Sequence, residues 1–168
     1  ASCLVGSEMC IRDRSYLNDR FTLIYDDMEM LEIQGEIAYR STKKIKLYLL
    51  GQYFSYSTNE ETKAWHRPDL KITSIGEYNL QDKLIAKVSL FYWGEQFAKS
   101  VEIENQLAIE KVEKLKGIFD ANLGFEYRYT KKLSAFIDFN NLGGIRFEKY
   151  QDYPTQGFNV LGGLTYSF

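Results

Sequence analysis

Apolar and polar residues alternate one by one along most of this chain. At the C-terminal end Phe158, Val160, Gly162, Leu164, Tyr166 and Phe168 fall on one side, and Asn159, Leu161, Gly163, Thr165 and Ser167 on the other. Successive side chains of a strand point to opposite faces, so the pattern predicts a strand with one apolar and one more polar side. The same alternation covers residues 31–40, 45–53, 70–79, 84–92, 119–129 and 133–140, with Ile33, Leu47, Ile72, Val88, Leu123 and Ile137 on the apolar side. A first strand near Phe21, Leu23 and Tyr25 brings the expected number to about eight.

The connections sort by length. Short polar turns are expected at residues 41–44, 81–83 and 130–132, and longer segments at 57–67, 98–116 and 143–156. An up-and-down meander with all short turns at one end produces this order, which is the asymmetry of outer-membrane barrels. A soluble sandwich has crossing connections and no reason to sort its loops so. A weak repeat begins at Gly35, Gly76 and Gly124: a glycine, an aromatic-ended strand, a Lys-containing turn and an apolar strand. Such a hairpin cannot bury its apolar faces alone and must continue sideways. Residues 106–115 suit a helix (Leu107, Lys111, Val112, Leu115) or a strand extension equally well.

Composition narrows the classes. The chain has 168 residues, of which 45% are hydrophobic and 15% aromatic, so it is not a disordered segment. A net charge of -2 leaves no basic surplus for a nucleic-acid backbone. No apolar run is long enough for a transmembrane helix. A mean hydropathy of -0.35 does not count against spanning by strands, whose signal lies in the alternation. An eleven-residue strand at ~3.3 Å per residue, tilted by ~40°, rises roughly 28 Å, close to the ~25 Å apolar band of such barrels. Tyr25, Tyr39, Tyr53, Tyr78, Tyr92, Tyr127, Tyr129 and Tyr166 stand at strand ends on the apolar side. There a ring can enter the hydrocarbon while its hydroxyl stays among head groups. The other side carries Glu32, Glu36, Lys46, Lys71, Glu77, Lys87, Asp120, Glu126, Arg128 and Asp138, which suits a hydrated lumen or a soluble surface alike.

Both cysteines, Cys3 and Cys10, lie in the opening fourteen residues, which lack strand or helix periodicity. The run LVGSEMCIRD, Leu4 to Asp13, resembles a translated sequencing adapter. Residues 1–14 are accordingly expected to be non-native, and 15–168 to be the C-terminal portion of an outer-membrane barrel. On that reading the gene is truncated at its 5′ end, and the cysteines carry no information on redox compartment.

The final strand, with Gly162, Leu164, Tyr166 and a terminal Phe168, looks like the signal read by the outer-membrane barrel-assembly machinery. The stretches 67–94, 115–142 and 141–168 resemble the barrel of TonB-dependent receptors, with a looser likeness over 21–58. The resemblance implies an outer-membrane receptor for energy-coupled uptake of a scarce ligand: an iron chelate, cobalamin or a glycan. It also implies outer-membrane lipid, the assembly machinery and, through a missing N-terminal plug, the TonB complex as partners. The expected fold is all-β, an antiparallel up-and-down transmembrane barrel, with the strands here forming part of a larger one.

Ligand contacts in that family come from external loops and the plug. The loop residues offered for this are Trp65, His66, Phe147, Tyr150 and Tyr153, although packing within the loops explains them at least as simply. His66 is the only histidine and cannot make a metal site alone. Glu60, Glu61 and the acidic positions of 102–113 suit a solvated loop. Gly143, Gly144, Gly157, Gly162 and Gly163 lack the strand–loop–helix setting of a phosphate loop. No catalytic residue, cofactor or metal is expected, and the chain is not expected to be an enzyme. Three other readings remain open at this point: a stand-alone eight-stranded structural or adhesion protein, a lipid hydrolase using His66, and a soluble β-protein.

Overall fold

The computed structural model describes residues 4–15, 20–41, 44–59, 61–104, 107–150 and 153–168. The protein is all-β and antiparallel. One sheet runs in the order β1 (Leu4–Ser15), β2 (Arg20–Ser41), β3 (Ile45–Thr58), β4 (Leu70–Leu80), β5 (Leu84–Trp93), β8 (Ile118–Arg128), β9 (Leu133–Asn140) and β12 (Asn159–Tyr166). Two small hairpins sit in the long connections: β6 (Gln96–Glu104) with β7 (Leu107–Leu115), and β10 (Glu148–Tyr150) with β11 (Tyr153–Pro154). Each main strand pairs with its predecessor in this order, so from β2 onward short turns gather at one end of the sheet and long loops at the other.

The count of eight main strands agrees with the sequence pattern, but its make-up differs. The strand expected near Phe21 and the one at residues 31–40 are a single 22-residue strand, β2. Asp26 and Asp27 interrupt the alternation and move the apolar positions to Met28 and Met30, but the backbone stays extended because β1 and β3 pair along its length. The eighth strand is β1, in the stretch read as lacking strand periodicity. Its pairing from Leu4 to Ser15 uses backbone groups, which any sequence except proline supplies. The open question at residues 106–115 resolves to strand: Gln96–Glu104 and Leu107–Leu115 form a hairpin in register from Gln96↔Leu115 to Glu104↔Leu107.

Every cross-strand pair joins residues of the same face, so the alternation read in single strands becomes two continuous surfaces. Leu31, Ile33, Ile37, Leu47, Leu49, Ile72, Val88, Leu90, Ile137, Val160 and Leu164 lie on one face and all are exposed. No second layer covers them among the described residues, and the few buried apolar side chains (Met28, Phe54, Trp65, Ala98, Leu115 and Ile118) do not form a central core. The opposite face is concave. A cavity of about 630 Å³ on it is lined from β3 to β12 by Lys46, Glu77, Lys87, Glu126, Asp138 and Thr165. A soluble sheet hides its apolar side and wets its polar one. Here the apolar face is the convex, uncovered one, and it far exceeds the few hundred Å² that soluble monomers leave exposed.

The concave face is laid out as a charge ladder. Lys46 pairs in register with Glu77 and donates to it at 2.6 Å. Glu77 is opposite Lys87, Lys87 opposite Gly124, and Gly124 opposite Asp138. A side chain at Gly124 would meet the Asp138 carboxylate at 2.5 Å, so the glycine clears the space that the carboxylate occupies.

Candidate functional site at the long-loop end

At the long-loop end the concave face changes character. Beyond Gln52 the inward positions of β3 are Phe54 and Tyr56, whose rings stack at 6.0 Å and 8°. On β5 the inward position Trp93 is opposite Lys71 of β4. The Lys71 ammonium lies 5.0 Å from the Phe54 ring centre and 5.5 Å from that of Trp93. Lys149, from the far loop, reaches the same Trp93 ring at 5.2 Å. Arg67 and Lys149 stand within electrostatic range of Lys71, with Glu32 as the acidic counterweight. Glu32 also accepts a hydrogen bond from Gln52 Nε2 at 2.8 Å. Ring faces attract ammonium groups through their quadrupole, by about 0.5–2 kcal/mol depending on desolvation. The rings therefore hold cations close together that would otherwise move apart. The result is a positively charged patch floored by aromatic surface, suited chemically to an anionic, partly aromatic ligand.

The loop at residues 59–69 caps this region. Phe54 N–H donates to the Asp69 carbonyl at 2.8 Å, and the Tyr56 hydroxyl to the Pro68 carbonyl at 3.2 Å. Trp65 is only 2% exposed and packs with Met28, flanked by Met30, Tyr56, Ala64 and Phe97. Its indole N–H donates to Glu61 Oε2 at 3.0 Å. Glu61 in turn pairs with Lys99 of β6 at 3.2 Å, and its backbone N–H donates to Asp26 at 3.0 Å. The loop is thus tied to β2, β3 and the β6–β7 hairpin at once.

The sequence-derived loop residues are spread by the fold. Trp65 is buried as the loop's anchor, not presented as an open stacking surface. His66 adopts a left-handed backbone (φ 53°) and donates its N–H to the Phe97 carbonyl at 2.8 Å. Phe147 lies in the last long loop, where its carbonyl accepts from Thr155 N–H at 2.9 Å. Tyr150 and Tyr153 are backbone register partners in the β10–β11 pair. Glu60 lies outside the described residues. Gly162, Leu164, Tyr166 and Phe168 line up on the convex face, with Tyr166 and Phe168 in edge-to-face contact at 5.3 Å. Among the described residues no group of His, Cys, Asp and Glu could hold a metal ion.

Sequence reasoning did not single out Phe54, Tyr56, Trp93 or Lys149. A signal was available for the first three: large aromatics gathered at the long-loop ends of the inward faces of β3 and β5. Nothing in the sequence could have joined Lys149 to Trp93.

No protein-family pattern matches the chain, and no curated protein sequence does. Solved structures do match. The ferripyoverdine receptor of the Pseudomonas aeruginosa outer membrane, bound to ferripyoverdine, is 13% identical with a TM-score of 0.72 over 88% of this chain and 21% of that one. A mutant of the ferric enterobactin receptor of Pseudomonas aeruginosa, in complex with enterobactin, is 16% identical with a TM-score of 0.66 over 100% of this chain and 28% of that one. The siderophore receptor PirA from Acinetobacter baumannii is 16% identical with a TM-score of 0.67 over 100% of this chain and 26% of that one. The chain therefore spans roughly a quarter of the length of these receptors, and what the likeness shows at such identity is the fold: a stretch of outer-membrane β-barrel wall.

Proposed function

We propose that this chain forms part of the wall and mouth of an outer-membrane receptor for energy-coupled uptake of a scarce ligand. The observation that carries the reading is the orientation of the two faces: apolar side chains on the convex, uncovered side and charges on the concave one. A surface of that kind is stable only against hydrocarbon, and a sheet in hydrocarbon must close or continue so that no edge is left unpaired. Among the described residues β12 pairs with neither β1 nor β2, the first strand beyond residues 1–14, which favours continuation into a larger barrel over a stand-alone one. Of the three ligand classes, the Arg67, Lys71 and Lys149 patch on Phe54 and Trp93 favours an anionic iron chelate over a neutral glycan. The siderophore receptors of like fold point the same way.

Further parts of the proposal rest on the resemblance. The C-terminal strand, through Gly162, Leu164, Tyr166 and Phe168, is the signal for the barrel-assembly machinery. A plug domain N-terminal to this stretch links it to the TonB complex. Residues 1–14 are non-native. Trp65, His66, Phe147, Tyr150 and Tyr153 belong to the loops around the ligand, with Trp65 acting as an anchor. The test is uptake of a ferric chelate by cells carrying the full-length protein. Replacing Lys71, Trp93 and Lys149 together by Ala is expected to lower chelate binding at least tenfold while the protein still reaches the outer membrane. Undiminished binding would refute the mouth assignment. Recovery of the protein from the aqueous fraction without detergent would refute the barrel itself.

A further inference from the structure

The β6–β7 hairpin continues the register of the wall below it. The last β5–β8 pair is Trp93↔Ile118 and the first β6–β7 pair is Gln96↔Leu115, three residues further along both strands. Nine residues per arm at ~3.3 Å each carry the hairpin roughly 30 Å of strand length beyond the sheet. Its two edges differ. The β6 edge is covered by the 59–69 loop: the Phe97 carbonyl accepts from His66 N–H at 2.8 Å, Lys63 lies 4.8 Å from the Phe97 ring centre, and Lys99 pairs with Glu61 at 3.2 Å. Among the described residues β7 pairs with β6 alone, and no backbone hydrogen bond reaches its outer edge. Lys111, Val112, Glu113 and Lys114 are exposed on it, Val112 by 50%.

An unpaired edge strand is a template for another strand, and proteins usually blunt such an edge with charge. β7 is charged, but its charges are complementary to their own reversed order. Residues 109–115 read IEKVEKL, a charge palindrome about Val112. Laid antiparallel against its own copy with Val112 opposite Val112, Glu110 stands opposite Lys114 and Lys111 opposite Glu113. Each charge pair occurs twice, and Ile109 stands opposite Leu115 beyond them. Opposite charges across a strand pair attract, and like charges directly opposite repel. The neighbouring registers fail on this count. A slip by one residue sets Glu110 against Glu113 in one direction and Lys111 against Lys114 in the other. A slip by two sets Lys111 or Glu113 against its own copy. The charges thus select one self-pairing and reject those beside it. Within the chain Lys114 holds Glu95 at 2.5 Å, but the two ends are 55% and 56% exposed, so that pair contributes little and can exchange.

We propose that the outer edge of β7 pairs antiparallel with the same edge of a second copy of this chain, centred on Val112, joining two proteins at their long-loop ends. A two-fold axis then passes through the Val112 pair. A foreign strand would match this order of charges only by coincidence, whereas a second copy matches it necessarily. The proposal rests on the long-loop end standing in water, as the barrel-wall reading requires, and not on which ligand the mouth binds.

Two measurements on the full-length protein in detergent micelles test it. The first is mass by light scattering. The protein is expected to be a dimer, and the E110K/E113K and K111E/K114E variants are each expected to be monomers. An equal mixture of the two variants is expected to be a dimer again, because their altered signs complement each other. The second is disulfide trapping in a background with no other cysteine. Directly opposite strand residues lie about 4.5–5.5 Å apart at Cα, within disulfide reach. Val112→Cys is expected to give at least tenfold more linked dimer than Lys114→Cys, which stands four residues out of register with its own copy. A monomer at every protein concentration would overturn the proposal. So would a dimer that neither double variant changes and in which both cysteine variants link alike, or failure of the mixture to restore a dimer that each variant alone had lost. Monomers inserted in micelles would leave the barrel reading intact. Dimers of the expected kind recovered from water without detergent would refute the barrel and keep the edge pairing.

Discussion

The ring of Phe136 lies directly over Gly163, its partner in register on the neighbouring strand: a Cβ added at Gly163 would sit 2.8 Å from two of the ring carbons. The glycine leaves a gap on the concave face and the aromatic fills it, which pins the register of the β9–β12 pair. Gly163→Ala is therefore expected to displace the ring and cost about 1–3 kcal/mol, as overpacking does. Urea unfolding of the micelle-bound protein measures this. Adding Phe136→Leu in the same chain should recover part of the loss, and an unchanged midpoint for Gly163→Ala would contradict the contact.

Neighbouring residues on β5 separate the two faces. Val88 is 43% exposed on the convex side, and Ser89 is inward, opposite Asn122. An arginine facing lipid at mid-depth costs about 2–4 kcal/mol, whereas a lumenal one is tolerated. Val88→Arg is expected to lose that amount in vesicle unfolding experiments while Ser89→Arg stays within ~1 kcal/mol, since a lumenal site keeps the charge hydrated. Equal effects would mean that the convex face does not meet hydrocarbon.

Trp65 anchors the 59–69 loop. Truncation to Ala removes a 2% exposed indole from its packing on Met28 and leaves Glu61 without its indole donor. Large aromatic-to-alanine changes at buried sites cost about 3–5 kcal/mol. The expected consequence is local: faster proteolytic cleavage within residues 59–69 and little change in cleavage elsewhere. A uniform loss of protection would show that the loop holds the sheet together.

Gln96 is 1% exposed, and neither its amide oxygen nor its amide nitrogen has a hydrogen-bond partner among the described residues. A buried unsatisfied polar group costs about 1–3 kcal/mol, and an apolar group of similar shape avoids that cost. Gln96→Met is expected to raise stability by up to that amount in chemical denaturation. A destabilised Gln96→Met protein would indicate that the amide is satisfied in solution, by water or by another part of the protein.

Two-residue periodicity gave the two faces of the strands from β3 to β5, β8, β9 and β12, because successive side chains of a strand point in opposite directions whatever the tertiary context. Leu47, Val88 and Ile137 are exposed on the convex side for that reason, as the alternation implies. The short turns were legible too, since Gln81 and Asp82 take left-handed backbones that polar residues tolerate. Other features depended on pairing. β2 absorbed two expected strands because β1 and β3 pair along different parts of one continuous chain. The β6–β7 hairpin won over a helix because its two halves match in register, a relation between segments that no single window contains.

The mouth cluster shows the same limit. Lys71, Trp93 and Lys149 come from two adjacent strands and a distant loop, and only curvature and loop folding bring two ammonium groups to one indole. The sequence by itself determined which side of each strand is apolar. Which side faces outward, and which charged and aromatic groups meet at the long-loop end, was decided by curvature of the sheet toward its polar face, a property of many strands together.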